Sequence, residues 1–183
     1  MSNILNELIR RSWDCSSYQE RPLPAEVMLE MLEVVRWSQS AANVQPWEFY
    51  LIHENEKRRE LESCILDPFL RPTVPSGQLE QAGVAVVVAV DRKRAAARHG
   101  EVGERLLAIQ DTAVAISHLR LAAAEKDIAS VWIREVDLRR VAEVLSLSAS
   151  LAPVALLTFG YPAEPPKAVE GMAVRDWTHV VGG

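Results

Sequence analysis

The run Val84-Ala85-Val86-Val87-Val88-Ala89-Val90 is continuously apolar and mostly β-branched. A strand with one wet face alternates apolar with polar residues, so an unbroken run is the pattern of a strand covered on both faces. The chain therefore needs a central strand with other elements packed above and below it. The run is too short to cross a bilayer, which takes roughly 20 helical residues, and Asp91 ends it.

Helical periodicity supplies the cover. Ile4, Leu5, Leu8 and Ile9 fall on one stripe of a first helix that stops near Ser12. Pro22-Leu23-Pro24-Ala25-Glu26 opens a second helix, buried through Val27, Leu29, Met31, Leu32, Val34 and Val35 and running to about Trp37. A charged helix covers Glu54 to Ser63, and Asp137 caps another that reaches Leu145. Glu104 to Lys126 is helical and apolar almost all round, so both of its faces need cover. In so small a domain a second subunit would provide it.

Further strands are expected at Trp47 to His53, Ala129 to Ile133 and Val154 to Phe159, with Gly160-Tyr161-Pro162 ending the sheet. Asp67 to Gly77, with three prolines, reads as an irregular surface crossing. Ala163 to Gly183 contains Pro165-Pro166 and has too little apolar surface to fold alone, so this arm must lie on something such as a partner chain. With no internal repeat and no linker, residues 1-183 read as a single α+β domain.

Hydrophobic residues at 49% and charged residues at 25% exclude general disorder. A net charge of −5 lacks the field that binding to a nucleic-acid backbone needs, so no nucleic acid is expected. Met1 to Arg11, with Glu7, reads as an amphipathic helix and not an export signal, and Cys15 and Cys64 show no CxxC spacing. A cytoplasmic protein with no membrane association is the expectation.

The histidines His53, His99, His118 and His179 are scattered, so no metal cluster is expected. His118, on the apolar helix, reads as a core or interface histidine bonded to a neighbour rather than a proton donor. The nucleophile elbow GxSxG, the P-loop and the dinucleotide fingerprint GxGxxG are all absent.

Two polar clusters remain. Arg10-Arg11-Ser12 joins two guanidinium forks to a hydroxyl, which suits a phosphate; by residue type alone it suits better a solvated helix end whose cations face the C-terminal dipole. Ser38 to Trp47 carries Ser40, Asn43 and Gln45, able to read the edge of a polar ring or sugar chain, or else to satisfy the orphan carbonyls of a helix end.

Taken together, Arg10-Arg11-Ser12, Pro22-Leu23-Pro24 and Ser40-Ala41-Ala42-Asn43-Val44-Gln45-Pro46-Trp47 resemble the opening of the nitroreductase family of FMN-dependent oxidoreductases. The likeness continues through Gln110-Asp111-Thr112-Ala113, Leu119 to Ala123, Ile128 to Ile133 and Pro153 to Pro162. It implies a central, mostly antiparallel sheet flanked by helices, and a homodimer with two FMN sites at the subunit interface and exchanged C-terminal arms. It also implies ping-pong transfer of two electrons from NADH or NADPH, through the flavin, to a small-molecule acceptor such as a nitroaromatic or quinone. The cofactor carries such chemistry, so no catalytic side chain is expected.

By the same resemblance Arg10, Arg11 and Ser12 would hold the phosphate and ribityl end of FMN, with Arg175 of the arm assisting. Ser40 and Asn43 would reach the flavin from the other subunit's loop, and the backbone at Ile128 and Ala129 would approach the ring. The chain departs from the family pattern in three places. Asp14 or Ser16 stands where a further basic residue is usual, and an aspartate there would repel a phosphate. Gln39 replaces a common proline. Asp127 and Ala129 replace two glycines of a turn; aspartate tolerates the left-handed conformation, but a Cβ at Ala129 could crowd a ring. These departures leave room for a flavin- or ligand-binding protein of the same fold with little or no turnover.

Overall fold

The computed structural model describes residues 3–15, 17–67, 69 and 77–182. Ser16 and most of the proline-rich crossing lie outside them. The strands β1 (Trp47–Ile52), β2 (Val84–Asp91), β3 (Ala129–Ile133) and β4 (Leu151–Gly160) form one antiparallel sheet in the order β1-β2-β4-β3.

Alternation along β2 explains its unbroken apolar run. Val84, Val86 and Val88 point into a core shared with α2 (Ala25–Val35) and α6 (Ala108–Glu125), through Met28, Met31, Ala115, Ile116 and Leu119. Ala85 and Val87 point the other way, onto Leu61 of α3 (Asn55–Glu62), Val141 of α7 (Leu138–Val144) and Leu79 of the short α4 (Gln78–Gln81). Every residue from Val84 to Val90 is buried. The expected helix-covered sheet is what the chain builds.

Two differences from the sequence reading have clear causes. β4 begins at Leu151 rather than Val154, because the register of β2 on β4 shifts between Val88 and Ala89, and this irregularity accommodates Pro153 inside a central strand. An additional helix, α5 (Arg92–Val102), follows β2; only Ala95 is buried on it, so it carries no apolar stripe to announce it. Asp91, which ends the strand, is also its N-cap, accepting from the Arg94 N–H at 3.0 Å. The long helix then begins as a π-helical turn over Gly103–Leu107 before α6 proper.

One face of α6 is covered within the chain, whereas Ile109 and Val114 on the other stay exposed. The first helix, α1 (Ile4–Arg11), packs on α6 yet buries none of its residues fully. Beyond Pro162 the arm is exposed almost throughout, including Val169, Met172, Val174 and Trp177. None of the described helices is long and apolar enough to cross a membrane.

The sheet end nearest α1 is closed by two glycines in close approach. A Cβ on Gly160 would sit 2.7 Å from Tyr18 Cδ1 and 3.0 Å from the Gly83 nitrogen. Gly160→Ala should therefore destabilise the protein by about 1–3 kcal/mol through overpacking, read as a lower urea midpoint at unchanged slope.

Candidate functional site

α6 ends in a left-handed turn that shapes the site. Lys126 is its C-cap and Asp127 adopts φ 57°, as its tolerance for that conformation led us to expect. The Ile128 N–H donates to the Ala123 carbonyl at 2.9 Å and the Asp127 N–H to that of Ala124 at 3.3 Å, the two bonds of a Schellman motif. Ile128 then drops into the main core and Ala129 starts β3.

The turn faces the C-terminal end of α1 across a cavity of about 290 Å³, lined by Arg11, Ala124, Asp127, Ile128, Ala129 and three prolines at 162, 165 and 166. The Arg11 guanidinium bridges this cavity wall to the Asp127 carboxylate, which is 88% exposed. Arg10 is exposed and forms no ion pair among the described residues. The Ser12 hydroxyl donates to the Ile9 carbonyl at 2.8 Å, so its proton closes α1 and only its lone pairs stay available.

Asp14 is compensated. Arg120, reaching out from α6, donates to Asp14 Oδ1 at 2.6 Å, to the Ser12 carbonyl at 2.6 Å and, through Nε, to Ser130 Oγ at 2.9 Å. Burial lowers the Arg120 pKa and the Asp14 charge works against that fall. The repulsion expected from this aspartate is thus largely absorbed by a cation the sequence reading did not assign. Ala129, which lines the cavity, is itself buried in a small cluster with Cys15 and Val131.

The second cluster lies elsewhere. The loop after α2 holds Ala42, Asn43 and Gln45 at φ 50°, 55° and 47°, a concentration of left-handed non-glycine residues that only surrounding bonds can maintain. Asp111 of α6 accepts from the Ala41 N–H at 2.9 Å, Ser40 Oγ accepts from the Gln45 N–H at 2.9 Å, and Asn43 Oδ1 accepts from Gln45 Nε2 at 2.9 Å. Arg94 donates to the Gln45 carbonyl at 2.7 Å and pairs with Glu48. Ser38 and His118 share a hydrogen bond at 2.8 Å, the structural role read for that histidine.

The fold therefore brings Arg11, Ile128 and Ala129 together, with Arg10 and Ser12 beside them, and keeps Ser40 and Asn43 apart. Asp111 and Ala124 are thirteen residues apart on α6, about 20 Å at 1.5 Å per residue. Arg175 sits in the exposed arm with Asp176 as its ion-pair neighbour. Asp111 stood in a recognised stretch without a role, and the Arg11–Asp127 and Arg120–Asp14 pairs span more than a hundred residues, beyond any local pattern. Among the described residues no cluster of three or more histidine, cysteine, aspartate or glutamate side chains could hold a metal.

This architecture, a four-stranded antiparallel sheet between helical layers with a cleft at a helix end, is an α+β domain of defined type. The nitroreductase family's sequence profile matches residues 9–161, and the chain belongs to that family. An NADH dehydrogenase from Thermus thermophilus is 25% identical over 172 residues, covering 80% of this chain and 81% of that protein. The crystal structure of a nitroreductase family protein from Streptococcus pneumoniae TIGR4 superposes with a TM-score of 0.84 at 20% identity, over 97% of this chain and 100% of that one. An FMN-dependent nitroreductase from Clostridium difficile R20291 gives 0.75 at 19% identity, over 97% and 99%. At these identities the structural likenesses speak for the fold.

Two outcomes follow from the site's framework. Arg120→Ala should cost about 2–3 kcal/mol, because it removes charge-assisted bonds and leaves Ser130 buried without its donor; the urea midpoint measures it. Tyr18, whose hydroxyl shares a hydrogen bond with Thr158 Oγ1 at 2.8 Å, has its pKa raised well above the ordinary phenol value by burial. The folded state thus keeps this proton where the unfolded state releases it, so stability present below pH 10 declines as pH rises beyond that value. Thermal melts across that range should show the decline, and Tyr18→Phe should make it shallower.

Proposed function

We propose that the chain is an FMN-dependent NAD(P)H oxidoreductase working as a homodimer. Membership of the nitroreductase family supports oxidoreduction in general, and the FMN named for the Clostridium difficile structure supports the choice of flavin. The observation that carries the reading is the pairing of a cationic α1 terminus with the Asp127-Ile128-Ala129 turn across one cavity.

The residues present fit the group. Arg10 and Arg11 offer guanidinium donors to a phosphate, Arg120 pairs with Asp14, and Ile128, Ala129 and the prolines give the cavity a largely apolar wall for a flat ring. FMN, when bound, supplies the redox chemistry, taking two electrons from NADH or NADPH and passing them to a nitroaromatic, quinone or similar acceptor in ping-pong alternation. The chain's task is to bind, orient and exclude water.

A homodimer resolves the separation of the two clusters. In one chain Asp111, which holds the Ser40 loop, lies about 20 Å along α6 from Ala124 at the cavity. A partner packed on the exposed Ile109 and Val114 side of α6 would contribute its own Ser40 and Asn43. The uncovered arm, with Arg175, would lie on that partner and add a cation to the phosphate end. The Arg11–Asp127 pair favours a second reading, a flavin-binding protein with little turnover, because it reduces the pull on a phosphate.

Purified protein should show flavin absorption in the visible range and should oxidise NADH or NADPH when a quinone is added. Bound flavin that neither nicotinamide reduces would favour the second reading. Arg11→Ala should weaken FMN by roughly 1.5–3 kcal/mol, the range for a hydrogen bond to a charged group, measured by quenching of flavin fluorescence. An unchanged dissociation constant would remove Arg11 from the site.

A further inference from the structure

We propose that Asp127 balances the charge at the phosphate end of the cavity, so that this chain binds riboflavin about as well as FMN. The inference rests on the flavin reading above and concerns which flavin the site selects.

Nothing in the turn calls for a carboxylate. The left-handed C′ position of a Schellman motif is satisfied by glycine or asparagine, and the backbone bonds at Asp127 and Ile128 use no side-chain atom. The carboxylate instead projects into solvent at the cavity wall and takes Arg11, which lines the same cavity. The remaining charges nearby are also largely matched. Arg120 is committed to Asp14 and Lys126 pairs with Glu30 at 2.9 Å. The C-terminal end of α1 adds a partial negative charge. Arg10 is left as the uncompensated cation at this end of α1 among the described residues.

An exposed ion pair is weak, so a phosphate can compete for Arg11. Doing so leaves the Asp127 carboxylate facing a dianion a few ångströms away, which in a watery cleft changes affinity by roughly tenfold. Attraction to Arg11 and repulsion from Asp127 then nearly cancel. Among the described residues Arg10 is then the net cation left to favour FMN, an exposed guanidinium worth less than about tenfold, since Arg175 carries Asp176 beside it; the rest of the affinity comes from the ring and the ribityl chain that both flavins share.

The test compares dissociation constants of FMN and riboflavin, by fluorescence quenching, for the full chain and for Asp127→Asn, which keeps a residue suited to the turn. The expected result is that the two flavins differ by less than about tenfold in the natural chain. Asp127→Asn should tighten FMN about tenfold and leave riboflavin unchanged. Asp127→Gly provides the same readout if the asparagine variant folds poorly. A larger preference for FMN in the natural chain, or FMN affinity unmoved by both variants, overturns the proposal while leaving the flavin site standing. Failure of either flavin to bind any of the three proteins overturns the flavin reading and the inference with it.

Discussion

The structure depends on burying β2 from both sides. Seven consecutive apolar residues cannot be shielded by one layer, so the chain must place α2 and α6 on one face and α3 and α7 on the other. Once α6 is pinned beneath the sheet by Ala115, Ile116 and Leu119, its two ends are fixed in space. Its N-terminal part holds the loop of Ser40 and Asn43 through Asp111, and its C-terminal part presents the Asp127 turn to α1. The position of each candidate site thus follows from hydrophobic packing several turns away, before any polar group is considered.

Polar interactions then do something different at the two ends. At the N-terminal end they hold a strained loop: Ala42, Asn43 and Gln45 at positive φ persist because Asp111, Ser40 and Arg94 take up the backbone groups that such a conformation leaves pointing outward. At the C-terminal end the backbone is satisfied by the Schellman bonds alone. Side chains there are released from structural duty, which is why an exposed Asp127 and Arg11 can set the electrostatics of the cavity without the turn depending on either.

Much of this was legible in the sequence, for identifiable reasons. β2 was readable because its burial on both faces leaves an unbroken pattern, and α2 and α6 because apolar residues crowd them at helical spacing, although α2 buries Met28, Met31 and Val35 and leaves the expected Leu29 and Val34 exposed. Asp137 was readable as a cap because a capping carboxylate acts within three residues, here on the Arg139 and Arg140 N–H groups. α5 was not readable, since a helix with one buried residue leaves no periodic trace, and β4's first residues were hidden by a proline that a register shift accommodates. At the candidate site, the motifs pointed to Arg11 and Ile128-Ala129, which line one cavity, but the neighbours that set the charge there, Asp127 and the Arg120–Asp14 pair, depend on three-dimensional closure.

The same distinction explains why the apparent defects in the family pattern act unequally. Asp14, itself half exposed, falls beside an arginine from α6 that is largely shielded from water and fixed by two further bonds, which keep the two charges together. Its charge is therefore met within the fold. Asp127 falls on an exposed turn, where its partner is itself a candidate ligand contact and water screens the pair. Under the flavin reading proposed above, a phosphate at Arg11 would meet a neighbour that can be displaced but not removed. Of the two acidic departures, the one that looked harmless because it suits the turn is the one positioned to alter what the cavity prefers.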